Sequence, residues 1–200
     1  MALPVVTRNE SVPMPLLRVL RRILVTLRDH LDRWLHPRRQ ALARKRLGEI
    51  APSSVLFVCL GNVCRSPYAE RSMSARVDGQ ITIRSAGFIG PDRSPPDDAL
   101  RAALHRGLDH SDHRSRTLTA EMLASADAVF VFDRYNRKRL SGMNGAAMNR
   151  VFWLGDFDPE WDGKRAILDP WGKSTEEFAR IFQRIDRCVD GAMAVISSAP

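Results

Sequence analysis

The sequence predicts an α/β fold: a small parallel sheet of about four strands with helices on both faces, preceded by a helical N-terminal extension. Three observations predict it. Four short runs rich in β-branched and aromatic residues recur, "SVLFVCL" at 54–60, "QITIRSAG" at 80–87, "DAVFVFD" at 127–133 and "RVFWLG" at 150–155. Segments with helical patterning lie between them and after them. The first run ends in "CLGNVCRSP", a compact loop at the carboxyl end of a strand, where sheets of this class bind anions.

The extension comes first. The chain has 200 residues and a net charge of +8, and that charge is unevenly placed. Residues 1–52 hold 11 Lys and Arg against 4 acids, whereas residues 53–200 hold 20 against 19. The change falls near "APSS" at 51–54, which divides the chain into a basic amphipathic helical extension, 1–52, and a body, 53–200. Leu16, Leu20, Ile23, Leu24, Leu27, Leu31, Trp34 and Leu35 recur along one helical face, with arginines between them. Pro13 and Pro15 suit a helix start, and Pro37 is expected to end or kink the helix. A second short basic run, "RRQALARKRLG", then closes on Gly48.

The longest uncharged run in this helix, Ile23 to Leu27, falls far short of the roughly 20 apolar residues that cross a bilayer. Arginines also break any signal-peptide core. Two readings of residues 16–35 stay open: self-association or docking on the body, and an interfacial helix lying on anionic lipid. No nucleic acid is expected, because no recognised binding module accompanies the basic residues.

The body follows in order. "SVLFVCL" is apolar throughout, as a strand buried on both faces must be. Residues 66–77 have helical character, "QITIRSAG" alternates like a half-buried strand, and helices are expected near 96–106 and 119–125. "DAVFVFD" is a second buried strand and "RVFWLG" a fourth element of the sheet. The last helix begins at Ser174, where Ser174-x-x-Glu177 predicts a capping box, and runs past Val189. Cys188 falls among Phe178, Ile181, Phe182, Ile185 and Val189 and reads as core.

Three cysteines make no disulfide framework and suit reduced thiols in a cytosol-like compartment. Cys59 and Cys64 have no second Cys/His cluster with which to hold a structural metal. The loop between Cys59 and Arg65 points to different chemistry. Its length lets backbone N–H groups converge on a tetrahedral oxyanion, and Gly61 and Asn62 tolerate the left-handed backbone that a tight curl needs. A helix N-terminus, inward amides and a guanidinium all favour thiolate at Cys59. Arg65 can clamp two phosphate oxygens, and Ser66 can donate to the thiolate.

"VLFVCLGNVCRSPYAE" resembles the signature of the low-molecular-weight protein tyrosine phosphatases. The similarity runs through most of residues 54–197, with "RSAG", "HRSR", "DAVFVFD" followed by Asn136, and "DPW" as further matching segments. The extension has no counterpart in the usual family domain. The resemblance implies Cys59 as nucleophile and Arg65 as phosphate clamp. Leu60, Gly61, Asn62, Val63, Cys64 and Ser66 would form the phosphate-binding loop, and Asn62, Ser66, Ser85 and His113 a supporting hydrogen-bond network. Spacing around His113 is one residue off the family pattern. Asp169, in "ILDPWGKS", matches the Asp-Pro general acid. Where the family usually continues with two tyrosines, this chain has Trp171 and Gly172; Trp171 and Phe88 are the expected aromatic walls.

The implied reaction is hydrolysis of phosphotyrosine through a phosphocysteine, with no metal or organic cofactor required. Alternatives are a phosphoarginine phosphatase, whose loop tends to carry Thr where Leu60 and Val63 stand, and an arsenate reductase, which needs thiols this chain lacks. A non-enzymatic phosphotyrosine-binding module is a further alternative. Cys64 could close a protective disulfide with Cys59 under oxidant. The resemblance also implies a cytoplasmic enzyme, peripheral to the inner face of the membrane if the helix binds lipid. Its implied partner is a phosphotyrosine protein such as a tyrosine kinase of polysaccharide export.

Overall fold

A computed structural model describes residues 14–77, 79, 81–143, 145–161 and 163–198. Helix α1 (Met14–Ile50) precedes strand β1 (Ser54–Cys59), which is followed by α2 (Arg65–Ser74) and β2 (Thr82–Gly87). Next come α3 (Asp97–Leu104), α4 (Ala120–Ser125), β3 (Ala128–Val131), α5 (Arg134–Met143), β4 (Val151–Trp153) and α6 (Thr175–Ile196). The four strands are parallel in the order β2-β1-β3-β4, so β1 is central and its carboxyl end is flanked on both sides.

β1 reads as a continuous apolar run because both of its faces are covered. Val55, Phe57 and Cys59 belong to the larger core, with Tyr68 and Met73 of α2, Phe178, Phe182 and Ile185 of α6, and Ala43 and Leu47 of α1. Leu56 and Val58 point the other way, to Leu123 of α4 and Leu140 of α5. Tyr68 stacks on Phe182 with centroids 3.7 Å apart, fixing α2 against α6. Cys188 is fully buried in the same core.

The extension differs from expectation. α1 runs without interruption through Pro37. A proline inside a helix forfeits one backbone hydrogen bond and costs about 3 kcal/mol, which tertiary contacts beyond it offset here. His36 stacks on Trp161 with centroids 4.1 Å apart, Gln40 Nε2 donates to the Asp158 carbonyl at 2.8 Å, and Ala43 and Leu47 enter the core. The helix ends beyond Gly48, at Ile50, where Ala51 takes a left-handed φ of 44° and donates to the Leu47 carbonyl. Pro13, one of the two prolines expected at the helix start, lies outside the described residues.

Two further differences are local. α6 starts where expected, but the Ser174 side chain caps no backbone N–H. The nearby Ser174 hydroxyl acts on Glu176, one position nearer than Glu177, and holds that carboxyl below its usual range. α5 was not anticipated; its start is set by Asp133, whose Oδ1 accepts the Asn136 N–H at 2.8 Å.

Candidate active site

The site is built where β1 meets α2. Cys59 lies at the last position of β1, in register with Gly87 of β2, and Arg65 is the first residue of α2. Asn62 adopts φ 51°, the left-handed conformation that asparagine tolerates, and its backbone N–H then reaches Cys59 Sγ at 3.2 Å. Gly61 does not share this conformation. A Cβ at Gly61 would instead meet Arg93 Nη2 at 3.1 Å, and that nitrogen donates to the Gly61 carbonyl and pins the loop from outside.

A chain of side-chain hydrogen bonds ends on the sulfur. Asn62 Nδ2 donates to Ser66 Oγ at 2.9 Å and to Ser85 Oγ at 2.7 Å, which uses both of its hydrogens. Ser85 Oγ donates onward to Glu70 Oε2. Ser66 Oγ, 3.1 Å from Cys59 Sγ, accepts from Asn62 and is left with its own hydrogen for the sulfur. Asn62 Oδ1 accepts the Arg116 N–H at 2.7 Å, and His113 Nε2 lies 2.8 Å from the Asn62 carbonyl. Asn62, Ser66 and Ser85 are fully buried, so an unmade bond in this chain would leave a polar group without water. Burial holds the His113 pKa below its ordinary value against the pull of its bond to Asn62.

Arg65 is almost wholly buried. Nη1 donates to Asp133 Oδ2 at 2.7 Å and to the Ile167 carbonyl at 3.0 Å, while Nη2 donates to Asp169 Oδ2 at 2.6 Å. Its Nε is buried with no hydrogen-bond partner. Burial works to lower the Arg65 pKa, but Cys59, Asp169 and Asp133 outweigh it and hold the pKa above the ordinary value. Asp169 reaches the guanidinium because the Ile167 N–H pairs with the Phe132 carbonyl at 2.8 Å, laying that segment across the end of β3.

The arrangement therefore holds a thiol with two hydrogen-bond donors, a guanidinium with one nitrogen unused, and a carboxylate at its edge. A model of the family described as low molecular weight phosphotyrosine protein phosphatase matches residues 54–199. The chain belongs to that family. As a low molecular weight phosphatase it is a cysteine-dependent phosphoric monoester hydrolase. A probable low molecular weight protein-tyrosine-phosphatase, EpsP of Ralstonia nicotianae, is 32% identical over 138 residues, covering 68% of this chain and 91% of that protein. The low molecular weight phosphotyrosine protein phosphatase of Sus scrofa is 31% identical over 153 residues, covering 71% and 94%. Among solved structures, the tyrosine phosphatase AmsI of Erwinia amylovora superposes with a TM-score of 0.66 at 26% identity, covering 72% of this chain and 92% of that one. The YwlE arginine phosphatase of Geobacillus stearothermophilus gives 0.64 at 25%, covering 72% and 93%.

In this phosphatase the residues expected at the site converge, with qualifications. Val63 and Cys64 turn into the main core, so Leu60, half-buried, is the apolar loop residue left near the surface. Burial, with the neighbouring Cys59, pushes the Cys64 pKa well up and keeps it a thiol. Phe88 donates its N–H to the Leu60 carbonyl at 2.8 Å and carries the Arg139 guanidinium over its ring at 4.9 Å. Trp171 is 61% exposed, and its N–H reaches Asp169 Oδ1 at 3.2 Å. Gly172 stands where a tyrosine is usual because Pro170–Lys173 form a turn, closed by the Lys173 N–H on the Pro170 carbonyl at 2.9 Å, with Gly172 at φ 72°.

Four residues that no motif marks in the sequence complete the site: Asp133, Glu70, Arg116 and Arg93. Three of them lie inside segments that carried the resemblance, "DAVFVFD", "RSPYAE" and "HRSR". Asp133 serves twice, with one oxygen on α5 and the other on Arg65. Arg116 Nη2 sits 2.8 Å from both oxygens of Glu70, which fixes the carboxylate that ends the hydrogen-bond chain. Arg93 falls in no quoted segment.

Proposed function

We propose that the protein hydrolyses phosphotyrosine in proteins through a phosphocysteine at Cys59. The observation that carries this reading is the sulfur itself, held within 3.2 Å of the Asn62 N–H and the Ser66 hydroxyl at the mouth of a loop closed by Arg65. Both donors stabilise negative charge on sulfur. In the first step the Cys59 thiolate attacks phosphorus as the bond from phosphorus to the aryl oxygen breaks. Arg65, with its unused Nε, and the loop amides take the equatorial oxygens, and Asp169 gives its proton to the departing phenolate. In the second step water attacks phosphorus, its proton passes to Asp169, and the phosphorus–sulfur bond breaks to release phosphate and regenerate the thiolate.

Asp169 begins as the partner of Arg65, so an incoming phosphate dianion competes with it for the guanidinium. That competition releases the carboxylate from the guanidinium toward the leaving-group oxygen, where a general acid must stand. Trp171, exposed next to Asp169, and Phe88, tied by its N–H to the Leu60 carbonyl, are the proposed aromatic walls for an aryl group. Phosphoarginine is a second reading, favoured by the likeness to an arginine phosphatase.

Rates on matched phosphotyrosine, phosphoserine and phosphoarginine peptides test the reading, with Cys59→Ser as control. The expected order places phosphotyrosine first and Cys59→Ser inactive. A faster phosphoarginine rate, or turnover by Cys59→Ser, would overturn it. Phosphotyrosine on a tyrosine kinase of polysaccharide export, in the cytoplasm, is the protein substrate to assay first.

A further inference from the structure

α1 presents two faces, and among the described residues one of them packs on the body. His36, Gln40, Ala43 and Leu47 recur at spacings of four, three and four and form the docked face. Ile23, Leu27, Leu31 and Trp34 recur in the same way earlier in the helix, and they are 49%, 60%, 53% and 65% exposed. Trp34 and His36 are two residues apart, hence about 200° apart around the helix axis. The apolar stripe therefore points away from the face that packs on the body. It is not a continuation of the core, and no rotation of a continuous helix buries both faces against one surface.

We propose that this stripe is a docking face for an anionic lipid surface. Charge decides between the occupants. Residues 1–52 carry 11 Lys and Arg against 4 acids, so a second copy of α1 laid on the stripe would bring like charges together. A bilayer of anionic lipid offers both complements, acyl chains for the apolar side chains and headgroup phosphates for the arginines. The Arg38 guanidinium lies 5.0 Å over the Trp34 ring, placing a cation beside an exposed indole, as suits a residue seated at headgroup depth. The stripe extends about 16 Å along the helix, too short to span a bilayer and suited to lying in its surface. No helix among the described residues is long and apolar enough to cross a membrane. Residues 1–53 fall outside the segment matched by the family, so the docking face is an addition to the phosphatase body.

The test is co-sedimentation of the full chain with vesicles, read as protein mass in the pellet and so independent of the phosphatase reading. Phosphatidylcholine vesicles containing phosphatidylglycerol are compared with phosphatidylcholine alone. The full chain is expected to pellet with the anionic vesicles and to be released by salt. Leu27→Asp/Leu31→Asp is expected to bind about tenfold more weakly, with an unchanged thermal midpoint because both sites are exposed. Ile23→Gln/Trp34→Gln reads the other two positions of the stripe. No pelleting of the wild type, equal pelleting on both vesicle types, or wild-type pelleting by both variants overturns the proposal. So does light scattering that shows a dimer of the free protein dissociated by the same substitutions, since the stripe would then be a self-association face.

Discussion

Asp169 Oδ2 and Arg65 Nη2 stand 2.6 Å apart, an ion pair between the proposed general acid and the proposed phosphate clamp. Asp169→Asn keeps the shape of the side chain but cannot supply a proton. Turnover of phosphotyrosine is expected to fall by about 10²–10³-fold. The loss should shrink for aryl phosphates whose leaving group is already acidic, because departure then needs no proton. Plotting kcat against leaving-group pKa for wild type and variant checks this; parallel lines would remove Asp169 as the acid.

Ser66→Ala deletes the hydroxyl that Asn62 orients toward the sulfur. Loss of one charge-assisted hydrogen bond to a thiolate corresponds to about a ten- to hundredfold fall in kcat. Alkylation of Cys59 by iodoacetate below neutral pH should slow in parallel. An unchanged alkylation rate together with a reduced kcat would place Ser66 in leaving-group departure instead.

Gly87→Ala puts a Cβ 2.7 Å from the Asn62 nitrogen and 2.9 Å from the Gly61 carbonyl carbon. Both are backbone atoms of the loop, and the loop is already tied to this strand through Phe88. The loop has to move, which is expected to cost about 1–3 kcal/mol of stability and to lower kcat more than tenfold. Thermal unfolding and turnover measured on the same preparation check both.

His110 is fully buried with both ring nitrogens unpartnered, edge-on to Tyr68 and Phe182. Burial, and then the nearby His113, bring its pKa down to about 4. The unfolded chain binds a proton on this residue near pH 6.5 while the folded protein does not, so stability falls as pH drops from about 6.5 to about 4. The contribution lost is about 3 kcal/mol, and none is expected above neutral pH. Thermal midpoints across that range should decline less steeply in His110→Leu than in the wild type.

Sequence alone determined the sheet and the centre of the site. Continuous apolar runs can be buried only between two layers, and a cysteine at the end of such a run with five residues between it and an arginine marks a tight loop at a strand end. Cys59, Asn62, Arg65 and Ser66 were legible for that reason, since each lies within seven residues of the others and local geometry ties them. Contacts between distant segments were not legible in this way. Asp133, Arg116 and Arg93 join the site from three other parts of the chain, Arg116 reaching Glu70 of α2 across 46 residues, and only packing decides which oxygen each guanidinium meets. Pro37 shows the same limit in reverse. Its local preference ends a helix, but the stack of His36 on Trp161 and the burial of Ala43 and Leu47 outweigh one lost hydrogen bond. The periodicity of α1 predicted an apolar face; tertiary structure decided that the body uses the opposite one, because a rigid helix can bury only the side it turns toward the core.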